Sequence, residues 1–118
     1  MTVQNYRRPD GSEPFRVWFE GLSSQAASRV QTALSRLEIG NTSNVKWFAG
    51  IGEIRIDSGP GYRVYLLRDG NTLILLLGGG TKRRQGADVE NALRLRDEWR
   101  TEESKKKRKH PESRKDNA

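Results

Sequence analysis

An α+β fold is predicted, with two helices, a small antiparallel sheet and a closing helix, and three observations predict it. Apolar residues recur at helical spacing before residue 40, at alternate positions from Ile51, and at helical spacing again from Ala87 to Arg100. Glycine-rich turn signals divide the middle stretch into three strand-length runs. Helices and strands also fall in separate blocks instead of alternating, which favours α+β over α/β.

Met1 to Arg8 is a candidate short strand carrying Val3 and Tyr6, and Pro9-Asp10-Gly11 is a turn. Ser12 as N-cap and Pro14 in the first turn predict a helix with Phe15, Trp18, Phe19 and Leu22 on one face, ended by Gly21. Ser23 or Ser24 caps a second helix that runs to about Ile39. Its inward stripe is Ala26, Ala27, Val30, Ala33, Leu34 and Leu37, and Gly40-Asn41 stops it. Together the two helices make a hairpin whose apolar stripe needs a partner.

The run Ile51 to Asp57 sends Ile54 and Ile56 one way and Glu53, Arg55 and Asp57 the other. After the turn Ser58-Gly59-Pro60-Gly61, Tyr62 to Arg68 puts Val64 and Leu66 on one face and Arg63, Tyr65 and Leu67 on the other. Asp69-Gly70-Asn71 signals a hairpin into Thr72–Leu77, apolar enough for an inner strand, which stops at Gly78-Gly79-Gly80. The Ile54, Ile56, Val64 and Leu66 face should receive the helical hairpin. Glu53, Arg55, Arg63 and Lys82 should then collect on an open side. A third helix is expected from Ala87 or Asp88 to about Arg100, with Val89, Ala92, Leu93 and Trp99 inward. Residues 1–100 read as one domain and 101–118 as a disordered basic tail.

Composition narrows the chemistry. The chain has 118 residues, no cysteine and one histidine, His110, in the polar tail, so thiolate or histidine zinc sites and a Ser-His-Asp triad are not expected. No metal or other cofactor is expected. There is no apolar leader segment at the amino terminus, and the longest apolar run, Leu73 to Leu77, is too short to cross a bilayer; a soluble, cytoplasmic protein without membrane contacts is expected. Net charge is +7, and residues 1–100 hold 15 Lys or Arg against 11 acids, so the surplus does not reside in the tail alone. That favours an anionic partner, nucleic acid first. The glycine triplet lacks the spacing of a phosphate-binding P-loop and carries no dinucleotide fingerprint.

The segments Glu53-Ile54-Arg55, Gly59-Pro60-Gly61-Tyr62-Arg63-Val64-Tyr65 and Leu77-Gly78-Gly79-Gly80-Thr81-Lys82 with Gln85, in this element order, resemble one family. They are similar to the toxins of type II toxin–antitoxin modules in the RelE/ParE superfamily, in the HigB-like or addiction module killer branch. Gly40-Asn41 ahead of Lys46-Trp47-Phe48 fits the same pattern, and the likeness spans about residues 12–98. It implies a small twisted antiparallel sheet with a helical hairpin on one face and a concave basic RNA-binding surface on the other. The implied activity is metal-independent endoribonucleolytic cleavage of messenger RNA on the ribosome, inhibiting translation. The ribose 2′-hydroxyl is the nucleophile there, leaving a 2′,3′-cyclic phosphate and a 5′-hydroxyl. The implied partners are messenger RNA, the ribosome and a cognate antitoxin with a helix-turn-helix DNA-binding domain. Two alternatives stay open: a ParE-like inhibitor of DNA gyrase without nuclease activity, and a catalytically degenerate relative that binds RNA.

Within that resemblance the catalytic candidates are Arg63, Lys82, Glu53 and Arg55. Arg63 would clamp phosphate, because a guanidinium offers paired donors to two oxygens; its plain alternative is a surface arginine paired with Glu53 or Asp57. Lys82 follows the glycines where backbone approaches a ligand closely, and would stabilise or protonate the leaving group. Its plain alternative is a solvated lysine heading a basic run. Glu53 is the carboxylate placed to act as general base, or else it only orients Arg55 or Arg63. Arg55 would contact phosphate. Lys46, Arg83 and Arg84 would hold the RNA backbone, Gln85 would hydrogen-bond a base or cap a turn, and Tyr65 would stack on a base or pack. Where several active superfamily members carry a histidine or tyrosine near the carboxyl end, this chain carries the Val89–Arg100 helix.

Overall fold

The computed structural model describes residues 1–109. The chain runs β1 (Thr2–Asn5), α1 (Pro14–Glu20), α2 (Ser24–Glu38), β2 (Val45–Phe48), β3 (Ile51–Ile56), β4 (Tyr62–Asp69), β5 (Leu73–Thr81), a 3-10 turn (Lys82–Arg84) and α3 (Gln85–Lys109). The five strands form one sheet in the order β1-β5-β4-β3-β2. The fold class is α+β as expected, but the sheet is mixed and not antiparallel. β1 lies parallel to β5, with Thr2 opposite Leu73 and Asn5 opposite Leu76, and the other pairings are antiparallel. A strand at the amino terminus adds to the outer edge of the apolar β5, which a three-strand reading leaves uncovered.

β2 is the element that periodicity did not announce. It has four residues, of which Lys46 and Trp47 are exposed, and it turns into β3 through Ala49 and Gly50, both at positive φ. Two positive φ values are what a tight hairpin needs to match strand twist, and alanine is not a usual residue for that job. Arg96 of α3 donates to the Ala49 carbonyl and so holds this turn from the far side.

α1 starts one residue later than the Ser12 signal suggests. Glu13 occupies the cap position, while the Ser12 hydroxyl donates to Asp10 Oδ1 at 2.6 Å. α2 is capped by Ser23, whose Oγ accepts from the Ala26 amide at 3.2 Å. Its buried stripe of Ala26, Val30, Ala33, Leu34 and Leu37 is the one expected, with Ala27 only half-buried. The stripe packs with Phe15 against Val45, Ile54, Val64, Leu66, Ile74 and Leu76, which forms one core.

The opposite face of the sheet is not open. Tyr6, Ile51, Tyr65, Leu67, Leu75 and Leu77 form a second core there with Ala92 and Leu95 of α3, and Val89, Leu93 and Trp99 pack around it. The alternation of β3 and β4 gave the parity of Glu53 and Arg63 correctly, but Tyr65, Leu67 and Leu77 make that face too apolar to stay in water. The result is three layers: hairpin, sheet, helix. Arg8 and Tyr6 fasten α3 through Glu98, with Arg8 Nε and Nη2 at 3.1 and 2.9 Å and the Tyr6 hydroxyl at 2.8 Å.

Residues 101–109, expected as part of a disordered tail, continue α3 to Lys109. This stretch has no apolar residue, so its helicity rests on good helix formers and on the i,i+3 pairs Glu102–Lys105 and Glu103–Lys106, each at 3.3 Å. The rest of that tail, with His110, lies outside the described residues. Among the described residues no helix is long and apolar enough to cross a membrane.

Candidate nucleic-acid interface

Strand register assembles the site. Opposite one another across β3 and β4 stand Glu53 and Tyr65, then Arg55 and Arg63, and Lys46 of β2 pairs with Glu53 from the other side. Two arginines directly opposite repel unless an anion lies between them. Glu53 supplies that anion. Arg55 Nε donates to its Oε1 at 3.2 Å, and Arg63 Nη1 lies 3.7 Å from its Oε2. Gln85 Nε2, at the first residue of α3, donates to the same Oε2 at 3.0 Å.

Burial separates these groups. Glu53 is 1% exposed and Arg63 6%, while the Arg55 side chain is half in water at 53%. Arg63 Nε and Nη1, the Tyr65 hydroxyl and Asp88 Oδ2 are buried without a hydrogen-bond partner. Four orphan polar atoms in one region is a concentration that needs a cause, since each unsatisfied buried group costs about 1–3 kcal/mol. Burial pushes the Tyr65 phenol well above its ordinary range, with the neighbouring Glu53 and Asp88 charges adding to the effect. Tyr65 is thus neutral and hydrogen-bearing. Burial likewise raises the Asp88 carboxyl, with the Arg84 charge opposing it.

The glycine triplet explains how α3 comes so close. A bulge at Tyr65/Leu66 gives β5 one extra residue, so Leu77 and Gly78 both fall on the α3 side of the sheet. Gly79 then faces the hairpin, where the Trp18 ring occupies the space a Cβ would need, and Gly80 faces α3, where the Asp88 carboxylate does the same. The close approach expected at these glycines is real, but the groups that make it are Trp18 and Asp88. Asp88 was absent from the sequence-derived site; its position three residues after Gln85, on the same helical face, was the available signal.

The remaining candidates arrange themselves around this centre. Lys82, Arg83 and Arg84 are exposed and form the turn that follows β5, and the Lys82 amide donates to the Gly61 carbonyl at 2.8 Å, beside the start of Arg63's strand. Lys46 is exposed at the edge of the sheet. Tyr65 is 1% exposed, so it packs beneath α3 and does not offer a ring to a base. Gln85 is engaged with Glu53. Glu53, held by Arg55 and Gln85 and closed off from water, is placed as an orienting anion and not as a base open to substrate. The structure thus brings Glu53, Arg55, Arg63, Tyr65 and Gln85 into one cluster, with Lys46 and the 82–84 turn at its rim.

A three-layer α+β domain with a buried Glu53–Arg63 pair, flanked by the half-exposed Arg55 and a basic rim, is the class that fold and site define. The chain is 38% identical over 86 residues to an uncharacterized protein of Haemophilus influenzae, a match covering 71% of this chain and 87% of the relative. The chain belongs to the same family as that protein. No family model matches it.

Proposed function

We propose that this protein is a toxin of the RelE/ParE type that binds messenger RNA on the ribosome and cleaves it without a metal ion. The observation that carries the reading is Arg63, a guanidinium buried in an ion pair with Glu53 whose Nε and Nη1 have no hydrogen-bond partner. A phosphate oxygen is the natural partner for such donors, and a charge-assisted bond there would be about twice as strong as a neutral one. In the proposed reaction the 2′-hydroxyl gives up its proton to solvent water as its oxygen attacks phosphorus, and the bond to the 5′-oxygen breaks. Arg63 and Arg55 stabilise the charge that develops on phosphorus, and Lys82 supplies the proton to the leaving oxygen. Glu53 sets the two guanidinium groups. A cognate antitoxin with a DNA-binding domain and a cytoplasmic site of action belong to the same proposal.

One observation favours a second reading, a ParE-like inhibitor of gyrase or an RNA binder without cleavage: Glu53 and Tyr65 are both enclosed beneath α3. The test is a translating extract in which new 5′-hydroxyl ends on the message are mapped. Wild type should cut, and Arg63→Ala should reduce cutting by roughly 10²–10³-fold, the usual loss for one donor to a developing oxyanion. Lys82→Ala, at an exposed position, should lower it without touching the fold. Equal cutting by all three proteins would remove these residues from the mechanism. Loss of gyrase supercoiling activity over intact messages would give the second reading instead.

A further inference from the structure

A second basic feature lies on the hairpin side of the sheet. β2 begins at Val45 opposite Ile54, so Arg55 and Ile56 at the end of β3 extend past it as free edge. Between that edge and α2 is an open groove of about 310 Å³, lined by Arg29, Thr32 and Arg36 from the helix and by Arg55, Ile56 and Asp57 from the strand. Arg29 and Arg36 are two turns apart on one helix face, about 10 Å along its axis. Both are exposed, and neither makes an ion pair among the described residues. Asp57 offsets one of the three guanidinium charges, which leaves the groove a surplus of two.

We propose that this groove binds phosphates of the same RNA strand, continuing the contact surface from Arg63 through Arg55 round the free end of β3 onto α2. Arg55 joins the two surfaces. Its Nε is committed to Glu53 on the α3 side, and the same residue is among those lining the groove on the hairpin side. One residue therefore belongs to both surfaces. The apolar lining is only Ala33 and Ile56, with no aromatic residue, so the groove lacks the large anchor pocket on which a protein partner would draw. Forked guanidinium donors suit phosphate oxygens instead. The proposal rests on the RNA reading above and enlarges its footprint.

The test uses the full chain and a short single-stranded RNA with 2′-O-methyl groups, which binds but cannot be cut. Binding is followed by fluorescence anisotropy across a range of salt. Each lost phosphate contact lowers the slope of log affinity against log salt by about 0.7, so Arg29→Gln with Arg36→Gln should lower it by about 1.4. Both side chains are exposed, and an unchanged melting curve will show that the variant is folded. Parental slope and affinity in the double variant, with Lys82→Ala still weakening binding, would overturn the groove and leave the RNA reading standing. No binding by the parent protein at low salt would overturn both. If the double variant lost affinity for poly-glutamate while keeping its RNA affinity and slope, the groove would belong to an acidic protein segment and the proposal would fall.

Discussion

The Glu53 carboxylate lies between Arg55 and Arg63, and what happens when it is removed depends on how far each arginine can reach water. Arg55 is half exposed and can be hydrated, whereas the Arg63 side chain is 8% exposed and cannot. Glu53→Ala should therefore destabilise the fold by about 3–5 kcal/mol, the range for stranding one member of a buried pair. Urea denaturation measures it, and a loss below about 1 kcal/mol would mean that Arg63 finds another partner. Asp88 behaves in the opposite sense. Its folded pKa is raised above 3.8 by burial, so its favourable contribution is complete below that pH and is lost as pH rises through the folded value. Asp88→Asn should thus stabilise the protein at pH 7, and the advantage should shrink as pH falls toward 3.8. Glu98 titrates with the reverse sign. The Arg8 hydrogen bond holds its pKa below 4.5, so its contribution is present above that value and lost as pH falls through the folded one. Comparing variant and parent by urea denaturation at each pH cancels the Glu98 term.

Among the elements, α3 decides most. Its amino-terminal half covers Tyr65, Leu67 and Leu77, while residues 101–109 add helix but no apolar side chain. Ending the chain after Arg100 should cost less than about 1 kcal/mol, because exposed ion pairs contribute little. Ending it after Arg84 should abolish the cooperative transition, and circular dichroism during urea titration separates the two cases. The same helix shows how far the sequence could be read. The stripe of α2, the turns at 58–61 and 69–71 and the parity of Ile54, Glu53, Val64 and Arg63 were all legible, because period and turn chemistry are local. What lies over a face is not local. Tyr65 and Leu67 share Arg63's side of β4, and that apolar pair was the signal that the side would be covered. β2 was hidden by its shortness and by Ala49 in a glycine-like conformation. The extension of α3 was hidden because charge without hydrophobic period looks the same in a helix and in a tail. Of the candidate site, the grouping of Glu53, Arg55 and Arg63 was legible, whereas the burial of Glu53 and Arg63 followed from α3.

At the scale of the molecule, one sheet serves two cores, and adjacent residues of β4 feed different ones: Leu66 goes to the hairpin side and Leu67 to the α3 side. Both layers should therefore unfold together. Trp18 sits in the first layer and Trp99 in the second, so in variants keeping one of them as the sole tryptophan, with Trp47 also replaced, the urea midpoint by fluorescence should coincide with that by circular dichroism. An earlier Trp99 midpoint would mean that α3 leaves first and opens Arg63 to solvent. The Gly79-Gly80 dipeptide makes such separation costly to evolve as well as to perform. With Trp18 seated on one residue and Asp88 on the next from the other side, the hairpin and the closing helix are gauged against each other across a single thickness of backbone. A lone methyl group on either glycine would act as a shim, tilting one layer and dragging Arg55 and Arg63 out of true from a position that carries no reactive group at all.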